Sequence, residues 1–195
     1  MFRPLICWFT TLAALAHAAT TNTFRFIGVV EPANLIVNGG FEEGREGPTG
    51  WRFGSARMEN FQYGRTRDAA GGKLAARIVC RSDEMSGYWS QRVTVKPHTR
   101  YRLSLKVKLE SGKALVYLRG KTLNQRLYLN AATDNPLVPV FLPAKWAAGV
   151  VETNTWLAQT LEFNSGDETS LALDLGMYFA AGAVNFDEVE LREIP

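Results

Sequence analysis

Cysteine is nearly absent from this 195-residue chain, which holds only Cys7 and Cys80. Cys7 lies in a stretch that reads as an export signal: Arg3 supplies a positive start, Pro4 to Leu15 an apolar core, and Ala16-His17-Ala18 a small-residue cleavage motif. That apolar run is shorter than the ~20 residues a spanning helix needs, so removal of residues 1–18 is expected rather than retention as an anchor. The mature chain is then secreted, periplasmic or held at the cell envelope. With Cys80 alone it can form no internal disulfide, and the fold must rest on its core. Cys80 closes the strand-like run "LAARIVC", where a buried free thiol is expected over a reactive one.

Histidine is as scarce, and outside the leader only His98 remains. No G-x-S-x-G elbow, H-E-x-x-H pair or Gly-rich phosphate loop occurs. Two carboxylates at suitable separation can hydrolyse a glycoside, but the candidates are better used as described below, and no enzyme is expected. Charge of one sign is missing too: 22 Lys plus Arg face 19 carboxylates. That balance gives no reason to expect nucleic acid or an anionic membrane as a partner. A convincing helical stripe is also lacking, which argues for an all-β chain.

What is present is alternation. In "TRYRLSLKVKLE", Tyr101, Leu103, Leu105, Val107 and Leu109 share one parity, and Arg100, Arg102, Ser104, Lys106 and Lys108 the other. Successive strand residues face opposite ways, so the first set meets a core and the second meets water. Trp89, Gln91, Val93 and Val95 behave alike, and "VKPHT" between the two runs is expected to be a hairpin with Pro97 at the turn. "KALVYLRG" places Val116 and Leu118 opposite Leu115, Tyr117 and Arg119. "TSLALDLGMYF" turns Leu171, Leu173, Leu175 and Met177 inward. Residues 122–154 are less regular, and "PLVPVFLP" there reads either as a functional loop or as an edge strand with prolines on its unpaired side. "FRFIGVV" near the N-terminus reads as an extra edge strand or a tether. One domain over 34–195 is expected, after a tail at 19–33.

Two stretches stand apart. "NLIVNGGFEEG" joins a short apolar strand to an Asn-Gly-Gly turn and two carboxylates, Glu42 and Glu43, and such oxygen-rich turns suit a hard cation. In "AVNFDEVELRE", Asp187 shares the parity of Val189 and Leu191 and would point inward, where a lone carboxylate is costly. The alternative is that the strand frays there and Asp187 is wet.

Taken with "GW" at Gly50 and Trp51, "GGKLAARIV", "WSQRVTVKPHTRYRLSLKVK", "TWLAQTLEF" and "VNFDEVEL", the chain from about Asn34 to Glu193 resembles carbohydrate-binding modules of the family 4 and 9 type. The resemblance implies a two-sheet antiparallel jelly-roll β-sandwich of the galactose-binding-domain-like kind. It implies a structural calcium where the two chain ends meet, held by Gly40 and Lys73 through main-chain carbonyls and by Glu42 and Asp187 through carboxylates. It also implies a carbohydrate partner, bound along a sheet face or at loop tips. Outward parity singles out Tyr88, Tyr117, Arg119, Asp174 and Tyr178, with Trp146 on the irregular segment. Of these, Tyr88, Tyr117, Arg119, Trp146 and Tyr178 are the expected ligand-binding residues. Trp51, Trp89 and Trp156 are assigned to the core or its rim. The competing reading is an adhesive domain of the same fold that binds protein.

Overall fold

Residues 31–131, 146–151 and 153–195 are described by the structure, a computed structural model. The leader, "FRFIGVV" and "PLVPVFLP" lie outside the described residues. Pro32–Pro195 form one compact unit. In chain order the strands are β1 (Arg52–Ser55), β2 (Phe61–Thr66), β3 (Ala75–Cys80), β4 (Ser86–Thr94), β5 (Arg100–Ser111), β6 (Lys113–Arg119), β7 (Asn124–Ala131), β8 (Trp146–Val151), β9 (Leu157–Asn164), β10 (Ser170–Tyr178) and β11 (Gly182–Glu193). The fold is an all-β sandwich. One sheet runs β1-β4-β10-β6-β7-β8 and the other β2-β3-β11-β5-β9; we call them sheets A and B.

The alternating strands behave as their patterns require. Leu103, Leu171, Leu173, Leu175, Ile78 and Phe186 have no solvent exposure and fill the space between the sheets. Each such side chain contributes about 1.5–3 kcal/mol relative to an exposed one. Trp51 and Trp89 are buried with them, and Phe41 packs on Trp51 at 5.0 Å between ring centroids.

Four expectations need correction. Lys96 to Thr99 is not a hairpin, because β4 belongs to sheet A and β5 to sheet B. The segment carries the chain across the core, and the Lys96 N–H donates to the Tyr101 hydroxyl at 2.9 Å to hold the crossing. A turn of this composition suits a hairpin or an arch equally, and only the pairing of the flanking strands decides. The irregular region contains a regular strand, β7, paired with β6 along its length. The sandwich is not wholly antiparallel, since β7 and β8 pair in parallel at the edge of sheet A.

The fourth correction concerns Asp187. It pairs with Lys106, on the outward parity of β5, and a register shift follows between Asp187 and Glu190. The extra residue of this β-bulge is Glu188, at φ 48°, and it restores Val189 and Leu191 to the core side. Asp187 is fully buried, as an inward residue would be. Its cover is the Ala70–Gly71 turn lying over the outer face of sheet B, not the core.

Candidate functional site

Two places gather the residues expected to act: the junction of the chain ends, and the outer face of sheet A.

At the junction, Asn34 is the staple. Its Oδ1 accepts from the N–H groups of Ile36 and Leu191, while its Nδ2 donates to the Val189 carbonyl. The Leu35 N–H donates to the Leu191 carbonyl and the Val189 N–H to the Gly39 carbonyl. Gly39 has to be glycine, since a Cβ there would lie 1.9 Å from the Val189 oxygen. Around this staple sit the expected metal ligands. Asp187 Oδ2 accepts from the N–H groups of Ala70 (2.8 Å) and Gly71 (3.0 Å), and Oδ1 from Glu188. Glu42 Oε1 accepts from the N–H groups of Lys73 (2.6 Å) and Leu74 (3.0 Å). Lys73 therefore meets Glu42 through its amide. Gly40 lies between the two carboxylates, its Cβ position 3.8 Å from Glu42 Cγ and 4.0 Å from Asp187 Oδ1.

Burial pushes the Asp187 carboxyl above its ordinary range, against the backbone donors, and the Glu42 charge adds to the rise. Backbone donation from Lys73 and Leu74 holds Glu42 below the usual range. Arg65 donates to the carbonyls of Phe41, Glu42 and Gly44, fixing the turn from outside. Among the described residues no cluster of three or more His, Cys, Asp or Glu side chains converges. A groove of about 490 Å³ adjoins the junction, lined in part by Gly39, Gly40, Lys106 and Glu188.

On sheet A the register aligns the outward residues in rows. One row reads Arg52, Ser90, Asp174, Tyr117, Arg126; the next reads Tyr88, Gly176, Leu115, Tyr128; on the other side lie Arg92, Ala172, Arg119 and Asn124. Four of the five expected ligand-binding residues, Tyr88, Tyr117, Arg119 and Tyr178, thus share this face. Trp146 opens β8 in register with Arg126.

Asp174 is the centre of the face. It is only 4 % exposed, accepting from the Ser90 hydroxyl at 2.5 Å and from Arg119 Nε at 2.7 Å. Tyr88 lies flat beside it, over a glycine: a Cβ on Gly176 would stand 2.3 Å from Tyr88 Cδ1. Burial raises the Tyr88 phenol to about 12, so it stays protonated as a donor. Tyr117 has two cations over its ring, Arg126 at 4.3 Å and Arg119 at 5.9 Å from the centroid. Arg126 also donates to the hydroxyls of Tyr117 and Tyr128. Tyr178 meets Tyr128 edge to face at 5.1 Å and Phe179 at 4.9 Å. The rings therefore pack on one another and on guanidinium groups, and what they present outward is hydroxyls and N–H donors.

Sequence reasoning passed over Arg126 and Tyr128 because β7 lay inside the region taken as irregular. The alternation of Leu127 and Leu129 with Arg126, Tyr128 and Asn130 was the signal that could have found them. Asp174 was read on the outward parity but not as the buried hub it is.

A family model described as a carbohydrate binding domain, of the 4/9 type, matches residues 33–171. The chain belongs to this family. Solved structures similar to the module share its fold at low identity. The CBM22-1 xylan-binding domain from Paenibacillus barcinonensis Xyn10C is 21% identical with a TM-score of 0.57, over 84% of this chain and 96% of that one. TmCBM61, in complex with β-1,4-galactotriose, is 20% identical with a TM-score of 0.55, over 83% and 99%. The enzymatically active domain of bacteriophage CBA120 tailspike protein 4 is 12% identical with a TM-score of 0.60, over 83% of the module but only 21% of the tailspike chain. A search of the curated proteins finds no match to this chain. Among the described residues no helix is long and apolar enough to cross a membrane.

Proposed function

We propose that this chain is an exported, non-catalytic module that binds a poly- or oligosaccharide on the outer face of sheet A, with calcium bracing the junction of its ends. The observation that carries the binding reading is the convergence of Tyr88, Tyr117, Arg119, Asp174 and Tyr178 on one sheet face. Sugars present hydroxyl rims and C–H faces, and this surface answers with phenols, guanidinium donors and ring edges. Neighbours of the same fold include a xylan-binding domain and a module in complex with a galactotriose, which supports a chain of several sugar units as the ligand. The adhesive alternative calls for a flat apolar patch. Among the described residues the exposed large apolar side chains, Val37, Met58, Tyr63 and Phe179, sit on four different segments.

For calcium, the support is the chemistry of the donor set. Two carboxylates converge on a glycine turn, and the charge of one disfavours ionisation of the other; a hard cation accepts such oxygens together with main-chain carbonyls. When bound, the ion would supply structural bracing. Glu42 and Asp187 would hold it, joined by the main chain at Gly40 and Lys73.

The tests are separate. In affinity electrophoresis through a panel of polysaccharide gels, at least one gel retards the chain, and Arg52→Ala, an exposed position on the same face, weakens the retardation without lowering the melting temperature by more than a few degrees. No retardation by any polysaccharide overturns the binding reading. A melt with and without chelator tests calcium: an ion at a hundredfold excess over its Kd stabilises by about 2.7 kcal/mol, and an unchanged melt removes calcium from the account.

A further inference from the structure

The two outer faces of the sandwich differ in how their cations are matched. On sheet B the cations are largely answered by carboxylates: Arg77 by Glu110, Lys108 by Asp68, Arg100 and Arg102 by Glu162, and Arg192 by Glu190. On sheet A the outward strand positions of the described side chains hold Arg52, Arg92, Lys113, Arg119 and Arg126, and a single carboxylate, Asp174. That carboxylate is buried and already engaged. The chain as a whole carries a net charge of only +3, so five cations against one engaged carboxylate make this face more positive than the chain on average.

The cations are also arranged to be used. Asp174 takes only the Nε of Arg119, whose side chain is 53% exposed, so the terminal amino groups face outward as a fork suited to an oxyanion. Arg52 is exposed, with no hydrogen-bond or ion-pair partner among the described residues. Among the described residues Arg92 reaches only the Ser170 hydroxyl, at 3.5 Å. Arg126 is held against Tyr117 and Tyr128, whose phenols orient it. Glu168, on the turn before β10, is a buried carboxylate of a neighbouring element. It is occupied in accepting from the N–H groups of Lys121, Thr122 and Leu123. The row from Arg52 to Arg126 crosses five strands, about 19 Å at 4.7–4.9 Å each, a strip long enough for a polymer.

We infer that the ligand of this face is an anionic polysaccharide, one bearing carboxylate or sulfate groups on its sugar rings. The inference rests on the carbohydrate-binding reading above and adds the chemical class of the sugar. The guanidinium groups pair with the ring anions while Tyr88, Tyr178 and Ser90 serve the hydroxyls.

Isothermal titration of the full chain in low salt tests it, using polygalacturonate, its carboxyl-reduced neutral counterpart, a sulfated galactan and xylan. At least one polyanion binds about tenfold or more tightly than the neutral polymers, and ~0.5 M salt abolishes the difference. Arg119→Ala and Arg52→Ala each weaken polyanion binding about tenfold, the scale of one charge-assisted contact. Arg102→Ala, on the outer face of sheet B, leaves it unchanged. Binding of polygalacturonate alone identifies carboxylate as the source, and binding of the galactan alone identifies sulfate. Equal binding of polygalacturonate and its reduced form, with no binding of the galactan above the neutral level, overturns the inference while leaving carbohydrate binding intact. Equal losses from Arg102→Ala and Arg119→Ala overturn it as well, by showing unspecific attraction. No binding to any of the four polymers, or to the wider gel panel, overturns both readings together.

Discussion

Replacing Gly176 by alanine is the most informative single perturbation of the sheet A face. The added methyl would stand 2.1 Å from the Gly87 carbonyl oxygen, 2.3 Å from Tyr88 Cδ1 and 2.9 Å from Tyr88 Cα. Two of these three atoms are backbone and cannot rotate away. The substitution therefore belongs near the top of the range for overpacking, about 3 kcal/mol. Removing a glycine also lowers the entropy of the unfolded chain, which offsets about 0.4–1 kcal/mol. The net loss is about 2 kcal/mol, or a fall of about 4–8 °C in Tm for a chain of this size. Gly54→Ala is the matched control. Gly54 lies on the same sheet, and no heavy atom comes within 4 Å of its Cβ position. The assay is thermal melting of both variants, extended by a cycle with Tyr88→Ala, which relieves the ring contact but not the carbonyl. Gly176→Ala melting within a degree of Gly54→Ala would refute the seating of Tyr88 over the sheet.

Three further outcomes are expected. Glu168 is held at about 2 by backbone donation from Thr122, Lys121 and Leu123; because the unfolded chain takes up its proton first, this stabilisation is complete above about pH 4.5 and lost as pH falls through about 2. Melts across that window show Glu168→Gln less stable at neutral pH and the gap to the parent closing in acid; a gap independent of pH sinks the assignment. Asn34→Ala leaves the Leu191 N–H and the Val189 carbonyl each short of a partner and lowers unfolding stability by about 2–4 kcal/mol in urea titration; a loss under 1 kcal/mol would show the staple to be dispensable. Burial pushes the Cys80 thiol above its ordinary range, so in a Cys7→Ser chain Ellman's reagent reacts in denaturant but only slowly in the native state, and prompt native reaction would contradict the burial of Cys80.

Much of the fold was legible because parity along a strand is a local property. β5, β6 and β10 face the way their alternation says, and the outward set Tyr88, Tyr117, Arg119, Asp174 and Tyr178 follows from it. What escaped was set by distant residues. One inserted residue at Glu188 reverses the parity of β11, so Asp187 reads as inward by counting yet lies on the opposite side. The Lys96–Thr99 turn has the composition of a hairpin, and its role as a crossing depends on β10 and β11 having claimed the neighbours of β4 and β5. The packing of Arg126 on Tyr117 needed the pairing of β6 with β7, which single-strand patterns do not contain. The site was legible as a surface, but not as the charged and hydroxylated surface that the packed rings make of it.

The position of β11 has a consequence for how the chain is made. Of the described strands it is the last to be synthesised, yet it lies in the middle of sheet B, between β3 and β5. Until Glu193 has emerged, β3 and β5 each wait with an open edge, and sheet B cannot close while synthesis is under way. Closure is therefore a late, non-local event, and a nascent chain stalled before residue 182 exposes two strand edges to any neighbour able to pair with them.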